Sequence, residues 1–352
     1  MRREKSRHLG LSESALDGNY PLTGGKDCGR LWVMAPVDRN RPKRGAGSES
    51  TYSLMEFMRE FPDDESCLDW LWRSSFAPDG HTTFCPKCGQ DRRFSRVADR
   101  PAYDCNHCGH HIHPTAGTIF HKSSTSLHLW FYAMYVMAST RCGISAKQLE
   151  RELGVTYKTA WRMFNLIRNE LMAQDGEKPL SGEVEMDETF VGGKPRESLR
   201  RKARTKGWNM QTAYWDRKAV VFGAVERQGR IRASVVPNSR AVTILPLARE
   251  YVLPPSLIYT DEYHAYKRLG REGYTHRRIR HMAKVYVEGD THTQTIDGFF
   301  GLFKNAVRGV HHGVSHKWLQ GYLNEYVWRY NRRGEGNTMF RDLLAAAALS
   351  RR

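Results

Sequence analysis

Long apolar runs, acidic residues and cysteines are all scarce in this 352-residue sequence. No run of eighteen apolar residues occurs, so we expect no membrane-spanning helix. The basic N-terminus is not followed by an apolar segment, which argues against a secretory signal. Only 38 Asp and Glu stand against 55 Lys and Arg, and the formal net charge is +17. Solubility alone seldom needs so large an excess, so the composition favours a polyanionic partner, most often nucleic acid.

Four of the seven cysteines form two CxxC pairs. These four are Cys85, Cys88, Cys105 and Cys108. Two residues between the thiols let both sulfurs of a pair bind the same tetrahedral zinc ion. The spacing therefore predicts a zinc ribbon instead of a disulfide framework, and with it a reducing, cytosolic compartment. Four thiolates leave no coordination position open, so we expect this zinc to be structural.

Composition and periodicity divide the chain into six segments. Residues 1–52 show no sustained periodicity, so we expect disorder there or an upstream extension from a mistaken start codon. The segments predicted to follow are an N-terminal helix and zinc ribbon at 53–122, a helix-turn-helix-like region at 123–172, a linker at 173–181, an α/β domain at 182–335 and a C-terminal tail at 336–352. Within the α/β domain, residues 194–218 carry nine Lys and Arg and only two acids, which indicates a basic insertion.

Residues 144–172 have the spacing of two short helices separated by a turn at Gly154. Lys158, Arg162 and Asn165 share one face of the second helix, where basic and amide groups can reach phosphates and base edges. The pattern alone fits an ordinary helical hairpin equally well. Beside a zinc ribbon in a basic chain, it favours a DNA-binding helix.

Three aspartates occupy chemically suggestive places in the α/β domain. Asp187 lies in the middle of an apolar strand, Asp261 ends another predicted strand, and Asp297 opens a predicted helix. Lys304 follows two helical turns later on nearly the same face. Carboxylates from two strands and a helix can meet at one end of a sheet and bind a pair of Mg²⁺ or Mn²⁺ ions that act on a phosphodiester. Spacing alone leaves ordinary roles open: a paired strand acid, a turn residue and a helix N-cap.

The order of these parts resembles the ISXO-like group of insertion-sequence transposases over about residues 55–335. The segments that carry the resemblance are "CPKCG…CNHCG", "EVEMDETFVGGK", "IYTDEYHAY", "HTQTIDGFFGLFK" and "YLNEYVWRYNRR". The resemblance implies an α/β ribonuclease-H-like catalytic domain: a mixed sheet flanked by helices, with an acidic triad at one edge. It also implies binding of terminal inverted repeats, metal-dependent strand cleavage there, and strand transfer into target DNA.

Position by position, Asp187, Asp261 and Asp297 match the three catalytic acids of that family, and Lys304 matches the lysine that follows them. Asp297 stands where glutamate is common. Gln294 stands where asparagine is common, a position that counts as the third catalytic residue in some members, so the resemblance leaves open whether Asp297 or Gln294 completes the site. Because aspartate is one methylene shorter than glutamate, its helix must lie closer to the metal ions.

The resemblance also sets expectations about partners and place of action. Transposases work as multimers that bring two DNA ends together, so a homo-oligomer on DNA is expected, at the nucleoid in a bacterial or archaeal cytoplasm. The alternative function is a non-catalytic zinc-ribbon and helix-turn-helix DNA-binding protein derived from a decayed transposase. A stand-alone metal nuclease is a third hypothesis.

Overall fold

The computed structural model describes residues 52–140, 142–173, 178–193, 218–279, 290–334 and 338–350, together with residues 201, 205, 207 and 287. The predicted N-terminal extension and nearly all of the basic insertion lie outside these residues. The described residues belong to one compact unit, Ser48–Arg352. Among the helices described, none is long and apolar enough to cross a membrane.

Two helices and a small sheet open the described chain. They are α1 (Leu54–Glu60), α2 (Asp64–Ser75) and the antiparallel strands β1 (Thr82–Cys85), β2 (Gln90–Arg96), β3 (Tyr103–Cys105) and β4 (His111–Ile112), paired in that order. Asp63 caps α2 by accepting a hydrogen bond from the Ser66 N–H at 2.9 Å. Trp72 of α2 stacks on Tyr103 of the sheet, with ring centroids 4.1 Å apart, so helix and sheet share a core.

A helical region follows the small sheet. It contains α3 (Leu127–Ser139), α4 (Ala146–Leu153) and α5 (Tyr157–Leu166), which a short π-helical turn, Ile167–Leu171, extends. Gly154 ends α4 with a φ of 64°, a conformation that glycine adopts without strain. The two predicted helices and their glycine turn are thus present in the structure.

The C-terminal segment contributes a helix to this first core. Residues 336–352 are expected to form a tail, yet α9 (Met339–Leu349) is a regular helix. One face of α9 packs with α1, α2 and α3 in a buried cluster. The apolar side chains on this face have helical spacing: Phe340, Leu343, Leu344 and Ala347. The physical reason is the apolar stripe that these side chains form, which needs a partner surface. The first and last parts of the described chain therefore share a core.

The remainder of the chain folds as a five-stranded mixed sheet. Its strands are β5 (Glu183–Val191), β6 (Ala219–Glu226), β7 (Ile231–Val236), β8 (Leu257–Thr260) and β9 (Thr275–Arg278). In space the order is β7-β6-β5-β8-β9; β5, β6 and β7 are antiparallel, whereas β8 and β9 run parallel to β5. The expectation of a mixed sheet is confirmed, and β9 is a strand that the sequence pattern did not indicate.

Helices cover both faces of the mixed sheet. They are α6 (Ala241–Tyr251), a 3₁₀ segment at His264–Glu272, α7 (Gln294–Gly309) and α8 (Leu319–Asn331). Strand β6 is buried on both sides: Phe222 and Ala224 face α6 and the 3₁₀ segment, while Val221 and Val225 face α7 and α8. This placement explains why β6 is almost wholly apolar.

A buried ionic cluster joins the helical region to the α/β domain. Glu325 of α8 is fully buried and accepts hydrogen bonds from Arg168 at 2.8 Å and from Arg329 at 2.9 Å. Burial opposes ionisation of Glu325, but the two guanidinium groups prevail and lower its pKa to about 2. Arg329 also donates to the carbonyl oxygen of Thr140. The two regions are thus held together by charge as well as by packing.

Candidate functional site

The sheet register brings Asp187 and Asp261 to the same level on neighbouring parallel strands. Glu185 of β5 pairs with Tyr259 of β8. The same offset, continued for two residues, sets Asp187 beside Asp261. Hydrogen-bonded strands lie about 4.8 Å apart, so Asp261, the first residue after β8, stands beside Asp187 in the middle of β5. Asp261 also shapes the turn after β8, where its carboxylate accepts a hydrogen bond from the Tyr263 N–H at 2.9 Å.

The third acid comes from α7, which lies against β5 and β6. Asp297 stands in the first turn of this helix, and the N-cap position is held by Thr293. Directly across from Asp187, β6 carries Gly223. A Cβ at Gly223 would lie 2.9 Å from the Ile296 side chain and 3.2 Å from Phe300, both on α7. The close contact at this point therefore requires a residue without a Cβ, and α7 packs directly on the backbone of β6 there.

Asp261 and Asp297 both act electrostatically on Asp187. Burial raises the pKa of Asp187 well above its ordinary value, and the charges of Glu188, Asp261 and Asp297 raise it further. Lys304 interacts electrostatically with two of these acids. Burial and the neighbouring Arg308 lower the pKa of its ammonium group, whereas Asp187 and Asp297 raise it. The predicted acids and the predicted lysine thus share one electrostatic neighbourhood.

Glu188 lies on the opposite side of β5 from Asp187, as strand alternation predicts. Its carboxylate accepts a hydrogen bond from the hydroxyl of the fully buried Tyr266. Burial, with a contribution from the charge of Asp261, raises the pKa of Glu188 to about 7. Glu188 therefore adds a fourth acid next to the site from the other face of the sheet.

Glu185 anchors the start of α7 to the sheet. Its side chain is fully buried and accepts hydrogen bonds from the backbone N–H groups of Thr295 at 2.8 Å and Ile296 at 3.2 Å. These are the donors at the second and third helical positions, which an N-cap side chain ordinarily satisfies. Thr293, the residue at the N-cap, makes no such hydrogen bond. A strand residue 110 positions earlier thus caps the helix that carries Asp297.

Arg227 completes this anchor. Its guanidinium donates to Glu185 at 2.9 Å, to Glu183 at 3.1 Å and to the carbonyl oxygen of His292 at 3.1 Å. It also lies over the ring of Tyr259, 3.8 Å from the centroid. Because Arg227 binds β5 and the segment before α7 simultaneously, it fixes the helix start relative to the strand of Asp187.

Strand alternation puts Glu185 on the same face of β5 as Asp187, but no sequence motif singles out Arg227 or Gly223 as part of the site. A glycine inside an otherwise apolar strand signals close approach of another element, so Gly223 was detectable in principle. No local pattern marks Arg227, because its partners are scattered over three segments of the chain.

The four predicted zinc ligands are brought together in the structure. The sulfur atoms of Cys85, Cys88, Cys105 and Cys108 all lie within 4.8 Å of one another. The Cys85–Cys108 and Cys88–Cys105 pairs are 3.6 Å and 3.9 Å apart. Tetrahedral zinc with sulfur ligands at about 2.3 Å requires sulfur–sulfur distances of about 3.8 Å, so the donor set fits this ion. Among the described residues, the carboxylate oxygens of the three aspartates do not all lie within 4.8 Å of one another, as the ligands of one metal ion would.

The predicted DNA-contacting residues lie along α5. Lys158 and Arg162 are exposed, and Asn165 is half-buried with its amide donating to the Trp161 carbonyl oxygen at 3.3 Å. Lys158 and Arg162 are therefore accessible to a partner, whereas the amide of Asn165 is hydrogen-bonded within its own helix.

Comparison with known proteins gives a consistent result. The family model described as ISXO2-like transposase domain matches residues 179–331, which include the whole mixed sheet and all three aspartates. A protein described as uncharacterized, in the transposable element ISH50 of Halobacterium salinarum, is 31% identical over 258 residues, covering 70% of this chain and 84% of the relative. An uncharacterized transposase-like protein of Haemophilus influenzae is 31% identical over 102 residues, 29% of this chain and 81% of that protein. No solved structure matches the chain.

The anchoring role of Glu185 can be tested by stability. Glu185→Ala removes the buried acceptor of two helix N–H groups and one of the carboxylate partners of Arg227, so the free energy of unfolding should fall by about 3–5 kcal/mol. Glu183→Ala is the matched control, because Glu183 binds the same arginine from a half-exposed position and its removal should cost about 1 kcal/mol or less. Denaturant unfolding measures both. Equal decreases in the two variants would contradict the anchor.

Proposed function

The chain belongs to the ISXO2-like transposase family, and on that premise we propose that it is the DNA transposase of an insertion sequence. It would bind terminal inverted repeats, cut them in a metal-dependent step and transfer the strand into target DNA. The observation that carries the proposal is the grouping of acids: two leave adjacent parallel strands at the same level, and a third comes from a helix held against them.

The catalytic domain is proposed to be ribonuclease-H-like. A mixed sheet with helices on both faces and acids at one edge supports this assignment. The first three strands run antiparallel as a meander, and the fourth returns parallel to the first, which sets the second acid beside the first.

Asp187, Asp261 and Asp297 are proposed to hold Mg²⁺ or Mn²⁺. The donor set fits, since carboxylate oxygens suit hard divalent ions, and a cation would offset both the burial and the neighbouring acidic charges that raise the pKa of Asp187. When bound, a pair of such ions activates the attacking oxygen and stabilises the leaving oxygen of a phosphodiester. The three aspartates would hold the ions, and Lys304, whose charge interacts with Asp187 and Asp297, would bind a non-bridging oxygen of the reacting phosphate.

The remaining modules are proposed to recognise DNA. The cysteine cluster would hold a structural Zn²⁺, and α5 would present Lys158, Arg162 and Asn165 to the terminal repeat. The ionic cluster around Glu325 would keep this recognition module in register with the catalytic domain. Cutting two ends in one event requires two catalytic centres, so we propose a homo-oligomer on DNA, acting at the nucleoid of a bacterial or archaeal cell.

The catalytic proposal is tested with a duplex that carries the inverted repeats flanking the gene. Asp187→Asn, Asp261→Asn and Asp297→Asn should each lower the rate of Mg²⁺-dependent or Mn²⁺-dependent cleavage by roughly a hundredfold or more, because each removes charge that a metal needs. Binding of the duplex in EDTA should stay within about twofold of wild type.

Asp99→Asn, at an exposed position far along the chain from the three acids, is the control and should cut normally. Normal cutting by all three site variants would refute the triad. A wild-type protein that binds but never cuts would favour the non-catalytic DNA-binding alternative, and cutting without preference for the repeats would favour a nuclease.

The zinc assignment is tested by metal content. Cys88→Ser removes one thiolate of the cluster, so bound zinc should fall from about one ion per chain to nearly none, and repeat-specific binding should disappear with it. Cys142→Ser is the control, because Cys142 is exposed and lies outside the cluster. Undiminished zinc in Cys88→Ser, measured by mass spectrometry, would rule out the site.

A further inference from the structure

A basic groove leads away from the acidic centre between β5 and α7. Its described lining includes Lys218, Lys304, Arg308 and His312, together with apolar residues and glycines of β5, α7 and the adjoining turns. Three of the named residues carry a positive charge and the fourth is a histidine, while none of the lining residues described is acidic. A groove of this charge selects for an anion.

The groove lies next to the acidic centre, further along β5 and α7. Both β5 and α7 start near the Glu185 anchor and pass the acids, β5 at Asp187 and α7 at Asp297. Val191 is four strand residues beyond Asp187, about 13 Å, and Lys304 is seven helical residues beyond Asp297, about 10 Å. The two elements therefore continue side by side, and the groove lies between their C-terminal halves.

Lys304 connects the two regions electrostatically. Its ammonium group is influenced by Arg308 and Lys218 on the groove side and by Asp187 and Asp297 on the acidic side. A chain of phosphates laid along α7 would thus pass from the acids to Lys304 and then to Arg308, which stands one helical turn further on the same face.

The shape of the groove suits a nucleotide better than a simple ion. Among its lining residues, Val191 and Val307 are buried and Val314 is half-buried. Lys218 and Lys304 are half-buried and Arg308 is exposed, so apolar side chains lie deeper than Arg308. At the far end, His312 has a φ of 53° and Gly313 a φ of 128°, so the chain turns sharply after α7 and presents His312 to the solvent side. Positions 193 and 313 have open space where a Cβ would stand, which leaves backbone accessible to a sugar or phosphate.

We propose that this groove binds the DNA strand immediately beside the scissile phosphate, with one or more of its phosphates held by Lys218 and Arg308 and a sugar or base resting on the valines. The inference rests on the proposed function and adds to it the path of the strand. It assigns to Lys218, Arg308 and His312 a DNA-binding role distinct from metal binding by the three aspartates.

The test compares two double variants. Lys218→Gln with Arg308→Gln removes two charges from the groove rim. Lys178→Gln with Arg271→Gln removes one lysine and one arginine charge from exposed positions near the edge where β5 and β9 begin, at the other end of the sheet. Binding of the terminal-repeat duplex, extended ten base pairs past the cut, is measured in EDTA over a range of salt concentrations.

The groove variant should bind roughly tenfold or more weakly than the control variant, and its log–log salt slope should be shallower by about one for each phosphate that the protein no longer neutralises. A second series replaces single phosphates near the cut by uncharged methylphosphonates. At one or two positions within a few nucleotides of the cut, the substitution should weaken binding by wild type and by the control variant but have little further effect on the groove variant.

Equal affinities and salt slopes for the two double variants, or strictly additive effects at every phosphate, would overturn the groove while leaving the transposase proposal intact. Failure of the wild-type protein to bind or cut the duplex would overturn both. Thermal unfolding midpoints of the two variants within a few degrees of wild type establish that a decrease in binding is local.

Discussion

The position of the third acid depends on one buried carboxylate. Glu185 accepts hydrogen bonds from the first turn of α7 and pairs with Arg227, so the helix that carries Asp297 begins at a fixed point beside the strand that carries Asp187. The cost of burying this charge is offset by two backbone donors, a threonine hydroxyl and a guanidinium. Repulsion among the acids acts to spread them apart, and the anchor opposes that spreading where the helix meets the sheet.

The close approach of α7 to β6 also fixes the position of this helix. Gly223 lies opposite Asp187 and lets Ile296 and Phe300 of α7 press directly onto the sheet. The proposed third acid is an aspartate where the family resemblance implies a glutamate, so the proposal requires a short distance between helix and sheet. The contact at Gly223 supports the proposal by bringing α7 close to β6.

Local patterns predicted much of this molecule. Cysteine spacing located the cysteine cluster, sequence patterns indicated β5, β8, α4, α5 and α7, and strand alternation puts Glu185 and Asp187 on one face. What escaped prediction depends on distant partners: the docking of α9 against α1 to α3, the short edge strand β9, and the contacts of Arg227 with three separate segments. A single sequence carries no local mark of such contacts, because their energy comes from tertiary packing.

The central claim is that Asp187, Asp261 and Asp297 hold divalent cations at the edge of the mixed sheet. Crystals of the wild-type protein grown with Mn²⁺, with diffraction measured at the manganese absorption edge, test it most directly. The account predicts anomalous density among the three carboxylates, with Mn–O distances of about 2.2 Å, and no such density in crystals of Asp187→Asn. Manganese bound elsewhere, or carboxylates that point away from one another in a fully occupied crystal, would contradict it.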